Sequence, residues 1–133
     1  MAYMSQEHKA RIRQELKKVM PKSWKWTLRV RHHSTIVLTI RKAPVDLLQM
    51  VRERMLANPE SARFAESVKE YHQVNEYFLE REFSGATLEV FKKAKAALNL
   101  DNFDKSDIMT DYFHVGHYTD INVGEFGKPF QVG

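Results

Sequence analysis

The stretch "WKWTLRVRHHSTIVLTIRK", residues 24–42, alternates twice and constrains the fold more than any other segment. Successive side chains of an extended strand point to opposite faces. Trp24, Trp26, Leu28 and Val30 therefore share one face of a first strand, and Lys25, Thr27, Arg29 and Arg31 share the other. Past "HHS", Ile36, Leu38 and Ile40 oppose Thr35, Val37 and Thr39, which reads as a second strand. The short link predicts an antiparallel hairpin with one apolar face for the core and one face of cations and threonines. Its turn holds no glycine, which leaves the turn type open. Trp24 and Trp26 fall on the apolar face and read as core rather than as stacking platforms.

Helical period brackets this hairpin. Before it, "QEHKARIRQELKKVM" repeats Ile12, Leu16 and Val19 at spacings of four and three, an amphipathic pattern. Ser5 is placed to cap that helix, Glu7 suits its positive end, Lys17 and Lys18 suit its negative end, and Pro21 stops it. After it, "DLLQMVRERMLANP" lines Leu47, Met50, Val51, Met55 and Leu56 along one face behind a capping Asp46, and Asn58 and Pro59 end the run. Residues 60–72 read as a further helix, followed by an extended or irregular piece to Gly85. "GATLEVFKKAKAALNL" regains helical period through Leu88, Phe91 and Leu98, with Lys92, Lys93 and Lys95 outward. "DNFDKSDIM" reads as a polar loop, "DYFHVGHYTDINVG" as a strand bent at Gly116, and "GEFGKPFQVG" as a turn-rich tail. No repeat or low-complexity tract interrupts the chain. The expected architecture is a single α+β domain over residues 1–133. It has a small, mainly antiparallel sheet, formed by the N-terminal hairpin and a C-terminal strand, covered by three or four helices.

Composition narrows the chemistry. The 133 residues are 43% hydrophobic, enough for a real core. There is no cysteine, which excludes disulfides, thiol catalysis and thiolate metal sites. No stretch approaches the roughly 18 to 20 apolar residues of a membrane span, and "MAYMSQEHKARIRQELKK" lacks the apolar segment of a secretory signal. A cytoplasmic protein without membrane contact is expected. The net charge of +4 is unevenly spread: residues 1–45 hold eleven Lys and Arg against two acids, a net of +9, while the remainder carries −5. The first third is therefore suited to a polyanion or to an acidic protein face, or it complements the acidic remainder within the fold.

The best binding candidates are Lys17, Lys18, Lys25, Arg29, Arg31, His32, His33 and Arg41, since arginines and exposed rings suit phosphates and unstacked bases. If the charge split serves function, Lys17, Lys18, Lys25, Arg29 and Arg31 form one continuous positive surface. A second, polar cluster comprises Asp111, His114, Tyr118 and Asp120, which share a face if their segment is a strand. His114 and His117 have H-x-x-H spacing, but in a strand they point to opposite faces, so no metal site is expected. Asp101, Asp104 and Asp107 are spaced by three, where a calcium loop uses alternate positions and a glycine. No phosphate-binding glycine loop, H-E-x-x-H or nucleophile elbow is present, so no catalytic residue and no cofactor is assigned.

Read in order, the "IRQELKK" helix, the tryptophan-containing strand, "STIVLTI", and a closing "SDIMTDYFHVGHYTDINVG" before "KPF" resemble a family of small phage, plasmid and integrative-element proteins. That family is related to a domain associated with large polyvalent proteins. The similarity spans nearly the whole chain and is strongest over residues 106–130. There the family tends to read S-D-x-x-T-D-Y-F-D-V, and His114 stands in place of the customary acid. The resemblance implies an α+β domain carried by mobile elements and brings no catalytic residue with it. It points to a non-enzymatic binding module that engages nucleic acid or a host nucleoprotein, with counter-defence roles such as anti-CRISPR or anti-restriction in view. Two alternatives stand beside it. One is a protein-only module whose acidic C-terminal surface imitates phosphates. The other is a metal-dependent or acid/base hydrolase at Asp111, His114 and Asp120.

Overall fold

The structure, a computed structural model, describes residues 5–100, 117–125 and 127–133. The doubly alternating stretch forms the expected hairpin. Strand β1 (Lys25–Arg31) pairs antiparallel with β2 (Thr35–Ala43), setting Leu28 opposite Leu38 and Val30 opposite Ile36. Ser34 N donates to Arg31 O at 3.3 Å, and both residues between them have positive φ, 55° at His32 and 61° at His33. Two successive left-handed residues define a type I′ turn, whose twist matches the strands it joins. Histidine enters that region more readily than most residues, though not freely.

Helix α1 (Gln6–Val19) begins where Ser5 Oγ accepts from His8 N and ends ahead of Pro21. Helix α2 (Leu47–Ala57) is capped by Asp46, which accepts from Gln49 N at 3.1 Å. The expected helix over residues 60–72 gives way to a 3-10 segment, Ala62–Ser67, followed by a two-residue strand β3 (His72–Gln73). The piece to Gly85, expected to be extended or irregular, holds a 3-10 turn Glu76–Phe78 and a short α3 (Leu79–Glu82). Long-range bonds hold this backbone in place of a helical ladder. Arg52 Nη1 donates to Val68 O, and Arg54 donates to the carbonyls of Glu80 and Arg81. Helix α4 (Gly85–Leu98) buries Phe91, Ala94, Ala97 and Leu98, with Phe83 stacked on Phe91 at 4.0 Å. Lys95 departs from its expected outward position: it is half-buried, and its Nζ donates to Glu76 O.

Strand β4 (Tyr118–Val123) enters the sheet beside β2 and parallel to it, β3 pairs antiparallel with β4, and β5 (Gln131–Val132) adds a short parallel pairing to β2. The sheet is mixed, with order β1-β2-β4-β3, where a mainly antiparallel one was expected. The long crossover between β2 and β4 accounts for this, because only such a connection lets a strand return in the same direction. Gly124 closes β4 at φ +71°, and a Cβ there would lie 2.7 Å from both Glu70 O and Phe130 N.

The register sorts every side chain of the sheet. Leu28, Leu38 and Ile121 lie abreast, as do Trp26, Ile40 and Val123. This face shares one core with Ile12 and Leu16 of α1, Leu47 and Val51 of α2, and Phe91 and Leu98 of α4. Trp24 is buried and Trp26 packs half-buried against the same cluster. The helices thus cover one face, and the other carries mainly polar residues with Val37 among them.

Candidate functional site

The opposite face is built by the same alternation. Its rows run from Lys25 beside Lys42, through Thr27, Thr39 and Asn122, then Arg29, Val37 and Asp120, to Arg31, Thr35 and Tyr118 at the hairpin-turn end. The first and last rows are six residue steps apart along β1, roughly 20 Å at the usual strand rise.

At the first end the pairing slips between Lys25 and Trp26, so that Arg41 is the extra residue of a bulge. The bulge and the returning tail set Lys25, Arg41, Lys42 and Lys128 around one open recess of about 550 Å³. Arg41 Nη2 donates to Glu125 Oε1 at 2.5 Å. Among the described residues, no carboxylate pairs with Lys25, Lys42, Lys128 or Arg29. Like charges held together without counter-charges favour an anion in the space between them.

The middle of the face is a shallow hollow of about 420 Å³ whose lining includes Arg29, Thr39 and Asn122. The far end is a recess of about 490 Å³ between Tyr118 and Tyr77, with Gln73, Asn75 and Asp120 among its walls. Both tyrosines are open, 54% exposed for Tyr118 and 83% for Tyr77. The arm that carries Tyr77 is nonetheless anchored. Thr119 Oγ1 donates to Glu76 Oε1 at 2.6 Å, Lys95 Nζ lies 5.5 Å from the Tyr77 ring centroid, and Asn75 N donates to the buried Glu82. Glu82 is in turn bonded to His72 Nε2 at 2.7 Å. Burial pushes the Glu76 carboxyl above its ordinary pKa, the Thr119 hydroxyl bond opposes that rise, and the Asp120 charge adds to it.

Of the residues singled out in the sequence, Lys25, Arg29, Arg31 and Arg41 meet on this face, with His32 and His33 exposed at its turn end. Arg31 is tied to Asp120 Oδ2 at 3.1 Å. Lys17 and Lys18 do not join them. They stand on α1, whose Ile12 and Leu16 pack on the apolar side of the sheet, and Lys18 faces Glu15 at 3.6 Å. The single continuous surface expected for Lys17 through Arg31 is therefore split between two sides of the molecule. Lys42 and Lys128 complete the cationic end instead. Lys128 carried no signal in the sequence, because only the tail's return beside β2 brings it near Lys25.

Tyr118 and Asp120 share the open face as their spacing required, whereas Asp111 and His114 lie outside the described residues, as do Asp101, Asp104 and Asp107. His117 is buried, and its Nε2 donates to Leu98 O at 2.6 Å. Among the described residues, no three His, Asp or Glu side chains gather so as to hold a metal ion. None of the described helices is long and apolar enough to cross a membrane. No protein-family model, curated protein or solved structure matches the chain.

Proposed function

We propose that the chain is a binding module whose open sheet face engages nucleic acid through its phosphates. The observation that carries this reading is the grouping of Lys25, Lys42 and Lys128, none with a carboxylate partner among the described residues, in line with the unpaired Arg29. Such cations recruit a polyanion by releasing its counterions, and between them Arg29, Thr39 and Asn122 offer hydrogen-bonding groups beside Val37 and Tyr71. The resemblance to proteins of mobile elements supports an accessory role of the same kind. It extends the reading to nucleic acid held in a host nucleoprotein, in counter-defence.

The test is fluorescence anisotropy of labelled DNA and RNA at a series of salt concentrations. Binding is expected to weaken steeply as salt rises, and the triple variant Lys25→Glu, Lys42→Glu, Lys128→Glu should lose it while melting like the parent protein. Absence of binding at low salt would overturn the proposal and turn the search to acidic protein partners by pull-down.

A further inference from the structure

The two ends of the open face differ in chemistry, and that difference selects among nucleic acids. Resting on the phosphate-binding reading above, we infer that the ligand is a single strand. Its backbone is held at the Lys25, Lys42 and Lys128 end, and one base is unstacked into the recess between Tyr118 and Tyr77.

Among the described residues, no helix projects from this face of roughly 20 Å to enter a duplex groove. The described face instead presents polar rows on which splayed bases can lie. Exposed tyrosines usually need a reason, and here two of them flank the same recess. Tyr77 is highly exposed, yet its arm is fixed by the Thr119–Glu76 bond and by Lys95 beside its ring. An exposed ring carried on an anchored arm gives a base a stacking surface. Between the rings, the Gln73 and Asn75 amides supply both donors and acceptors for the edge of a base. The cationic end can hold phosphates of any nucleic acid. Only an unpaired base can occupy the tyrosine end.

The inference is tested with one oligonucleotide in three forms: single-stranded, annealed to its complement, and single-stranded with abasic sites in place of bases. Each is titrated by anisotropy against the wild type, Tyr118→Ala, Tyr77→Ala and Tyr118→Trp. The wild type should prefer the single strand over both other forms by an order of magnitude or more. The two alanine variants should lose that preference while keeping the same dependence on salt, and Tyr118→Trp should retain it. Equal binding of duplex and single strand, or alanine variants indistinguishable from the wild type, would overturn the single-strand inference and leave phosphate binding intact. Failure of all three forms to bind at low salt would overturn both.

Discussion

Arg31 Nη2 lies 3.1 Å from Asp120 Oδ2, joining the edge strand β1 to β4 across the face of β2. The pair is unequal: the arginine side chain is about half exposed, while the carboxylate is nearly buried and also accepts from Gln73 Nε2 at 3.2 Å. Asp120 thus holds in check one of the cations that would otherwise face a polyanion. Asp120→Ala removes two hydrogen bonds whose donors can turn to water, so the expected loss of stability is small, about 1–2 kcal/mol. Affinity for nucleic acid should rise a few-fold at low salt, with the two proteins converging as salt screens the freed charge. Anisotropy and urea denaturation measure both effects. A fall in affinity would mean that the carboxylate itself contacts the ligand.

Leu28 and Arg29 are neighbours in sequence and lie on opposite faces of the sheet, one buried against Leu38 and the other exposed. Leu28→Asp places an unpaired charge in the core at about 3–5 kcal/mol and forfeits the Leu28 packing at about 2–5 kcal/mol more, together comparable to the roughly 5–15 kcal/mol that holds an ordinary domain, so the protein should unfold. Arg29→Glu should change stability by less than about 0.5 kcal/mol, as surface substitutions do, and still reduce nucleic-acid binding. Circular dichroism melts separate the two cases. A folded Leu28→Asp protein would reverse the assignment of faces.

The faces of β1 and β2 were legible in the sequence because strand alternation is local and needs only seven to nine residues. The helices at Ile12–Val19, Leu47–Leu56 and Leu88–Leu98 were legible for the same reason, with Ser5 and Asp46 as caps. What sequence could not show depends on distant chain segments. The parallel pairing of β2 with β4, the two-residue β3, and Lys128 beside Lys25 all join parts far apart in the chain. The bulge at Arg41 is marked only by Arg41 and Lys42 standing together where the alternation would place an apolar residue at 42. Glu76 and Tyr77 sat in a stretch of mixed charge and aromatics with no period, so neither drew notice. Their importance comes from Thr119 and Lys95, contacts no spacing rule reveals.

His32 and His33 occupy a turn that favours asparagine followed by glycine. Left-handed backbone costs a residue with a Cβ roughly 1–2 kcal/mol relative to the right-handed form, and glycine escapes that cost. The double change His32→Asn, His33→Gly should therefore stabilise the protein by about 1 kcal/mol or more, read as a higher urea midpoint with an unchanged slope. If nucleic-acid affinity is unchanged, the histidines serve only to turn the chain. If it falls while stability rises, the two rings contact the ligand, and their strained backbone is retained for binding.

Thr27 stands in the polar row beside Thr39, and its Oγ1 is shielded from solvent with no hydrogen-bond partner among the described residues. A buried hydroxyl that makes no bond costs about 1–3 kcal/mol on the scale of protein substitutions. Valine has nearly the same shape, is equally branched at Cβ and carries no group to satisfy. Thr27→Val should accordingly leave the hairpin intact and stabilise the protein by about 1 kcal/mol.

A pH dependence follows from Glu76, whose carboxyl is pushed above its ordinary value of 4.5 chiefly by burial. A folded-state pKa above the unfolded one means that the folded protein holds this proton more tightly. The group therefore costs nothing below the unfolded pKa, and its destabilising effect grows as pH rises through the unfolded and then the folded value. Above both, the cost is constant. Glu76→Gln keeps an oxygen to accept from the Thr119 hydroxyl and has no proton to lose, so it should be more stable than the wild type at neutral pH. The difference reports the rise that burial imposes on the carboxyl. It should vanish by about pH 3, where both side chains are neutral in the folded and unfolded chains. Melting temperatures measured from pH 3 to pH 8 on the pair of proteins give the comparison directly. A gap that persists at pH 3 would assign the effect to packing or hydrogen bonding rather than to the Glu76 charge.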